Sequence, residues 1–306
     1  DDNGALGPRF SSAPARMMST PAHRVWQAGR FVLDVSRPRV MGIVNVTPDS
    51  FSDGGRFLAA EAAKAHAERL LEEGADVLDI GAESTRPGSP GTPADEQWLR
   101  LEPVLDHVLS LGCPVSVDTS DPQVMRRCID KGVDIINDVS ALRRPGALEA
   151  VASHPQLGLC LMHMQGEPQT MQRSPTYVDT VQEVHAFLED RLRMVLRAGI
   201  AAERVLLDPG FGFGKSLEHN LQLAKGLHRL QSLGRPLLVG WSRKGSLGQL
   251  TGRPVTDRVV PSVAAALAAV AQGASVLRVH DVADTVDALK VWQAMVPEAT
   301  AWPMPE

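Results

Sequence analysis

The sequence predicts a single-domain (β/α)8 TIM barrel with a short hairpin in front of it. Three observations predict it. From about Val40, short β-branched runs alternate with longer stretches of helical period; the runs number eight; and no linker-like stretch divides the chain after residue 40. Alternating β and α units require a parallel sheet, and eight strands are what closes a barrel of roughly 250 residues. A doubly wound open sheet would usually carry a GxGxxG loop after its first strand. Here that loop reads Thr47-Pro48-Asp49-Ser50-Phe51-Ser52-Asp53-Gly54-Gly55, without the pattern.

The elements follow in order. Residues 1–24, rich in Ser, Pro, Ala and Gly, are expected to form a disordered tail, and residues 25–300 the barrel domain. Residues 25–36 predict a hairpin around Ala28-Gly29 that plugs the bottom of the barrel. Strands are expected at 40–46, 75–81, 114–119, 135–140, 158–164, 205–209, 237–242 and 275–280. Helices are expected at 61–73, 95–110, 122–131, 146–153, 178–198, 218–231, 257–272 and 282–296. The clearest is 178–198, where Val178, Val181, Val184, Leu188, Leu192, Val195 and Leu196 mostly fall three or four apart.

Composition narrows the function. In 306 residues, 31 Lys+Arg stand against 36 Asp+Glu, 43 % of residues are hydrophobic and 22 % charged. That balance excludes a disordered or fibrous chain. A net charge of −5 offers no general basic surface, so nucleic acid is not an expected partner. Cys113, Cys128 and Cys160 form no CxxC pair, which fits a reducing cytoplasm better than a zinc site or a disulfide framework. The longest apolar region, 259–277, is interrupted by Pro261, Ser262, Gln272 and Gly273, so no membrane span is expected.

The informative residues end the strands. In a barrel these reach one mouth, where active sites form. The first strand ends in Asn45. The second ends in Asp79 and Glu83, with Ser84-Thr85-Arg86 just beyond. Asp118, Asn137-Asp138, His163 and Asp208 end the next four, Ser242-Arg243-Lys244 follows the seventh, and the eighth carries Arg278 and His280. Any one of these could cap a helix or make a turn. Eight together on one rim point to a site. Arg278 and His280, two apart on a strand, share a face and suggest an anion, with Arg86 and Lys244 within reach. The alternative is that Arg278 pairs structurally with Asp208 or Asp118. The run Asp208-Pro209-Gly210-Phe211-Gly212-Phe213-Gly214-Lys215 lacks P-loop spacing; its glycines read as permitting close backbone approach, Lys215 as a surface charge and His163 as a core residue.

Taken together, these motifs resemble a known family. The segment Met41-Gly42-Ile43-Val44-Asn45-Val46-Thr47-Pro48-Asp49-Ser50-Phe51-Ser52-Asp53-Gly54-Gly55 is similar to the first signature of the dihydropteroate synthases. Asp79-Ile80-Gly81-Ala82-Glu83-Ser84-Thr85-Arg86-Pro87-Gly88 is similar to the second. The match continues in order through Val117-Asp118-Thr119, Ile136-Asn137-Asp138, Leu161 to Gly166, Asp208 to Lys215, Ser242-Arg243-Lys244 and Arg278 to Asp281. The resemblance implies a transferase of folate biosynthesis that joins 6-hydroxymethyl-7,8-dihydropterin pyrophosphate to 4-aminobenzoate. It also implies sulfonamide inhibition, Mg2+ and a homodimer. Its pocket implies Asp208, Asn137, Asp118 and Lys244 on the pterin, with Met162 as a wall and Arg278 against the ring. Arg278, His280 and Arg86 would meet the pyrophosphate, with Mg2+ beside Asn45. Thr85, Phe51, Pro87 and Ser242 would contact aminobenzoate. Asp118, Lys244 and Arg278 are the expected catalytic groups, and the loops 47–58 and 84–95 are expected to act as lids. Ala82 and Trp241 are the departures from the family's pattern. Two rivals share part of the site: a methyltetrahydrofolate–corrinoid methyltransferase and an inactive pterin-binding barrel.

Overall fold

The computed structural model describes residues 25–46, 53–83, 91–167 and 170–295. The tail 1–24, the predicted site residues Phe51, Thr85, Arg86 and Pro87, and residues 47–52 and 84–90 of the two expected lids lie outside these residues.

Two antiparallel strands, β1 (Val25–Ala28) and β2 (Phe31–Asp34), open the fold. Eight strands follow: β3 (Arg39–Asn45), β4 (Val77–Gly81), β5 (Val115–Asp118), β6 (Ile135–Asp138), β7 (Gly158–Met162), β8 (Val205–Asp208), β9 (Leu238–Val239) and β10 (Val276–Val279). They form one parallel sheet in the order β8-β7-β6-β5-β4-β3-β10-β9. A parallel bridge between Leu207 and Leu237 joins the two ends, with the Leu207 N–H donating to Pro236 O at 3.0 Å. The sheet therefore closes, and every predicted barrel strand is present.

The helices are α1 (Asp53–Glu72), α2 (Ala94–Val108), α3 (Pro122–Lys131), α4 (Ala147–Ala152), α5 (Thr180–Arg197), α6 (Leu217–Lys225), α7 (Gly245–Thr251), α8 (Val259–Ala271) and α9 (Val282–Met295). Three differences from the sequence reading have physical causes. The first helix begins at Asp53 rather than residue 61, because its Gly54-Gly55 start hid the helical period inside an expected lid. The expected helix 218–231 ends at Lys225 and continues as a 3-10 segment, Leu227–Leu233. Gly226 lies at the break, where a Cβ would stand 2.7 Å from a Val181 methyl. Helix α7 is only seven residues long and too glycine-rich to show a period.

Period-two alternation divides each strand between two cores. Outward residues such as Val44, Leu78, Ile80, Val117, Leu161, Leu207 and Leu277 pack with the helices. Inward residues near the strand starts, including Met41, Val77, Ile135, Cys160, Leu206, Leu238 and Val276, form a separate core together with Trp26, Ala28 and Val35. The hairpin is thus the barrel's bottom plug, as expected. Its turn is Gly29-Arg30, one residue later than the sequence suggested. Gly29 takes φ +63°, and a Cβ there would meet Asp134 Cα at 2.5 Å. Arg30 clamps the Asp134 carboxylate through Nε (2.9 Å) and Nη2 (3.1 Å), and the Trp26 indole N–H donates to Arg204 O at 3.1 Å.

Candidate active site

Farther along the same inward faces, most strands turn from apolar to charged or amide side chains. Val77 is followed by Asp79, Ser116 by Asp118, Ile135 by Asn137, Cys160 by Met162, Leu206 by Asp208, and Val276 by Arg278 and His280. The site is therefore the upper layers of the barrel interior, and the strand pleat aims its groups at one another.

Arg278 is its hub. Its Nε donates to Asp79 Oδ2 at 2.7 Å and its Nη2 to Asp118 Oδ2 at 3.0 Å. Burial works against the guanidinium charge, but Asp79 and Asp118 outweigh it and raise its pKa further. Asn137 Nδ2 donates to the same Asp79 oxygen at 3.2 Å. The structural alternative for Arg278 holds for Asp118, and Asp79 takes the place suggested for Asp208. Asp79 Oδ1 and Asp118 Oδ1 are buried with no hydrogen-bond partner among the described residues. Burial pushes the Asp118 carboxyl up to about 7, with Arg278 opposing and Asp79 adding to the rise. A buried acceptor without a donor is costly, which leaves this oxygen with the capacity to accept one more hydrogen bond.

Asp208 stands at the end of β8. Its Oδ1 accepts from the Gly210 N–H at 2.7 Å. Burial pushes its carboxyl up to about 6, while that hydrogen bond, Lys244 and Arg278 resist. Lys244 holds its ammonium 3.9 Å from the Phe213 ring centroid, a cation–π contact. Burial and the neighbouring Arg278 push it down to about 8 against the pull of Asp208 and Asp118. Phe213 also packs in a small apolar cluster with Val139, Met162, Met164 and Met171.

Ser242 and His280 form a neighbouring pair. The His280 N–H donates to Ser242 Oγ at 3.2 Å, and Ser242 Oγ lies 3.1 Å from His280 Nδ1. Burial, Arg278 and Arg243 push the imidazole down to about 4, so His280 is neutral at pH 7. It can donate a hydrogen bond to an anion. Asn45 is exposed at the end of β3.

Other motif residues build the frame. Arg243 takes φ +56°, which few non-glycine residues adopt. Its guanidinium pairs with Asp281, its N–H donates to Ser262 Oγ at 2.9 Å, and its carbonyl accepts from Arg258 Nη1 at 3.1 Å. Asp138 is buried, accepting the N–H groups of Ser140 and Leu142 at 2.7 Å each and the Ser120 hydroxyl. It shapes the turn at Ala141 (φ +51°) and Leu142 (φ +56°). Arg191 binds the carbonyls of both, from Nε at 2.8 Å and Nη2 at 3.1 Å. Glu83 accepts from the Thr92 N–H at 3.1 Å rather than entering the site.

One reading is overturned. Lys215 is not a surface charge: it is 3 % exposed, and its Nζ lies 2.8 Å from His163 Nδ1. Its Nζ is held by His163 from the neighbouring strand end together with the Gly210 and Phe213 carbonyls of its own loop, and the contact across strands is one that no local pattern could show. His163 is buried, as expected, and neutral: burial and Lys215 push it down to about 2. Asp79 was expected on the rim but given no role on a substrate, and Phe213 was not among the expected site residues. A lone Asp inside the apolar strand Val77–Gly81 was the available signal for Asp79; for Phe213 there was none. Of the two departures, Ala82 is buried and Trp241 stacks on Phe211 at 4.4 Å.

Comparison with known proteins places this geometry. The model of a family described as pterin binding enzyme matches residues 41–280. A dihydropteroate synthase of Neisseria meningitidis serogroup B is 53 % identical over 280 residues, 90 % of this chain and 98 % of the relative. The dihydropteroate synthase of Xanthomonas albilineans, solved with 4-aminobenzoic acid, superposes with a TM-score of 0.83 at 53 % identity, over 90 % of this chain and 99 % of that one. The Burkholderia cenocepacia enzyme complexed with 7,8-dihydropteroate gives a TM-score of 0.81 at 48 % identity, over 88 % and 95 % of the two chains.

Proposed function

The chain belongs to the pterin-binding enzyme family, and from that membership we infer the function and the division of labour within its barrel. It is a dihydropteroate synthase: it condenses 6-hydroxymethyl-7,8-dihydropterin pyrophosphate with 4-aminobenzoate, giving 7,8-dihydropteroate and pyrophosphate.

The observation that carries the assignment of roles is the unmatched buried acceptor Asp118 Oδ1 in a site whose charges also include Asp208 and the Lys244 ammonium. A pterin offers a donor edge at its 2-amino group and N3, and acceptors at its carbonyl and N5. Asp208 accepts from the donor edge, Lys244 donates to the acceptors, and Asp118 Oδ1 with Asn137 takes the remaining ring positions. Met162 and Phe213 wall the ring. Arg278 lies between the pterin and the pyrophosphate, held in place by Asp79 and Asp118. His280 donates a neutral hydrogen bond to the leaving group and Ser242 contacts the aminobenzoate. For Arg86, Thr85, Phe51 and Pro87, which lie outside the described residues, we propose roles on the anion and on the aminobenzoate.

The reaction breaks a methylene C–O bond and forms a C–N bond, and the aminobenzoate nitrogen loses one proton. Pyrophosphate is a good leaving group, so the main task is to stabilise charge as it departs. Ionised Asp118 faces the positive charge that grows on the pterin methylene, and Arg278 faces the negative charge that grows on the leaving oxygen. Asn45 is suited to Mg2+ because this ion keeps several waters and takes phosphate oxygens, needing few protein ligands. When bound, Mg2+ would neutralise charge on the pyrophosphate. We also place the protein in the cytoplasm as a homodimer. Exposed Val260, Val291 and Met295 on α8 and α9 support a self-association face there.

The test is pyrophosphate release from the purified protein with pterin pyrophosphate, 4-aminobenzoate and Mg2+, omitting each in turn. Release that requires all three, and is competed by a sulfonamide at the aminobenzoate step, is the expected result. Pterin binding without release would instead favour the inactive barrel, and turnover of methyltetrahydrofolate the methyltransferase.

A further inference from the structure

We propose that Lys215 is a positioning residue, a buried tripod that fixes the Asp208 carboxylate and the Lys244 ammonium relative to one another; this rests on the reading that these two groups hold the pterin. Lys215 Nζ has three partners: His163 Nδ1 at 2.8 Å, Gly210 O at 2.9 Å and Phe213 O at 3.1 Å. An ammonium has three donors and no acceptor, so all three are used, and His163 is fixed with its proton on Nε2.

Each partner leads to the site. Gly210 aims Asp208, because its N–H donates to Asp208 Oδ1 at 2.7 Å while its carbonyl is held by Lys215. Phe213 supports Lys244, because its ring lies 3.9 Å from that ammonium while its carbonyl is held by Lys215. His163 ties both to the neighbouring strand end, its N–H donating to Asp208 O at 2.9 Å. The loop is also locked sterically. A Cβ on Gly210 would meet His163 O at 1.9 Å, and one on Gly214 would meet Gln165 O at 2.3 Å. The His163 ring packs edge-on against Phe187 at 4.9 Å, and the Tyr177 hydroxyl donates to Gly214 O at 2.8 Å. Burial pushes the Lys215 ammonium down to about 7, Asp208 resists this, and the three acceptors favour the charged form. A methionine would fill the same space without that cost. The charge does what methionine cannot: it holds two carbonyls whose residues aim the two ends of the heterocycle site.

A double-mutant cycle tests this. Dissociation constants for 6-hydroxymethyl-7,8-dihydropterin, which lacks the pyrophosphate, would be measured by calorimetry for wild type, Lys215→Met, Asp208→Asn and the double variant. Lys215→Met is expected to weaken binding about tenfold in the wild-type background and only about threefold beside Asp208→Asn, where the arm through Phe213 and Lys244 remains, since neighbours acting as a unit are not additive. In turnover, KM for the pterin substrate should rise while KM for aminobenzoate stays unchanged. Equal losses in both backgrounds, no loss, or a parallel rise in both KM values would overturn the proposal. If Asp208→Asn binds the pterin as wild type does, the pterin placement falls instead. The tripod is then judged from a crystal structure of Lys215→Met, where unmoved Asp208 and Phe213 would overturn it. Should Lys215→Met not fold, His163→Gln runs through the same cycle.

Discussion

At the residue scale, the arginine between two carboxylates makes the sharpest prediction. Arg278→Ala leaves Asp79 and Asp118 buried together without their cation. Breaking a buried pair in this way costs about 3–5 kcal/mol, visible as a fall in Tm. Adding Asp118→Asn to the same chain should recover part of that loss, and no recovery would mean the guanidinium acts through packing. A second prediction concerns pH. Asp208 must be ionised to accept from the pterin, and burial sets it to about 6. Lys244 must be protonated to donate, and burial sets it to about 8. Pterin affinity should therefore fall as pH drops through about 6, where Asp208 gains a proton, and again as pH rises through about 8, where Lys244 loses one. Asp118, at about 7, steepens the acid limb. Calorimetry with the phosphate-free pterin would read this without interference from phosphate titration; a flat profile would remove both groups from the contact.

At the element scale, the barrel is closed at one end by the hairpin and chemically equipped at the other. Trp26 is fully buried beneath the strand starts, so Trp26→Ala should cost about 3–5 kcal/mol in a denaturant titration. The polar layer lies at the opposite mouth, so kcat of the folded fraction should be unchanged, and a comparable loss in kcat would contradict this separation. The turn after β6 depends on a helix instead. Arg191 on α5 satisfies the carbonyls of Ala141 and Leu142, both in left-handed backbone. Arg191→Met leaves two acceptors unmatched, at about 1–3 kcal/mol, and hydrogen exchange should localise the loosening to residues 139–143.

At the scale of the whole molecule, one mouth of the barrel gathers charges of both signs, with Asp79, Asp118 and Asp208 set against Lys244 and Arg278. The groups of the described site are arranged for the pterin half of the reaction. The pterin substrate alone should therefore raise Tm, by about 2.7 kcal/mol of added stability at a hundredfold excess over Kd. A thermal shift with pterin absent and aminobenzoate present would show the reverse order of dependence.

The sequence by itself determined the eight strands, the hairpin plug and the rim that carries Asp118, Asn137, Asp208, Lys244 and Arg278. Local pattern suffices for these, because period two fixes which side chains face inward and the strand direction fixes which end they reach. The order of motifs further determined the family. Tertiary structure alone decided which groups share a charge. Asp79 and Arg278, 199 residues apart, meet at 2.7 Å because β4 and β10 flank the same strand. Lys215 is accommodated in the interior because His163, 52 residues away, joins the Gly210 and Phe213 carbonyls of its own loop around its Nζ. His280 is neutral because its neighbours, rather than its own identity, set its proton affinity. Pairing, burial and proton affinity depend on groups distant in sequence, and closure of the barrel is what brings them within hydrogen-bonding distance.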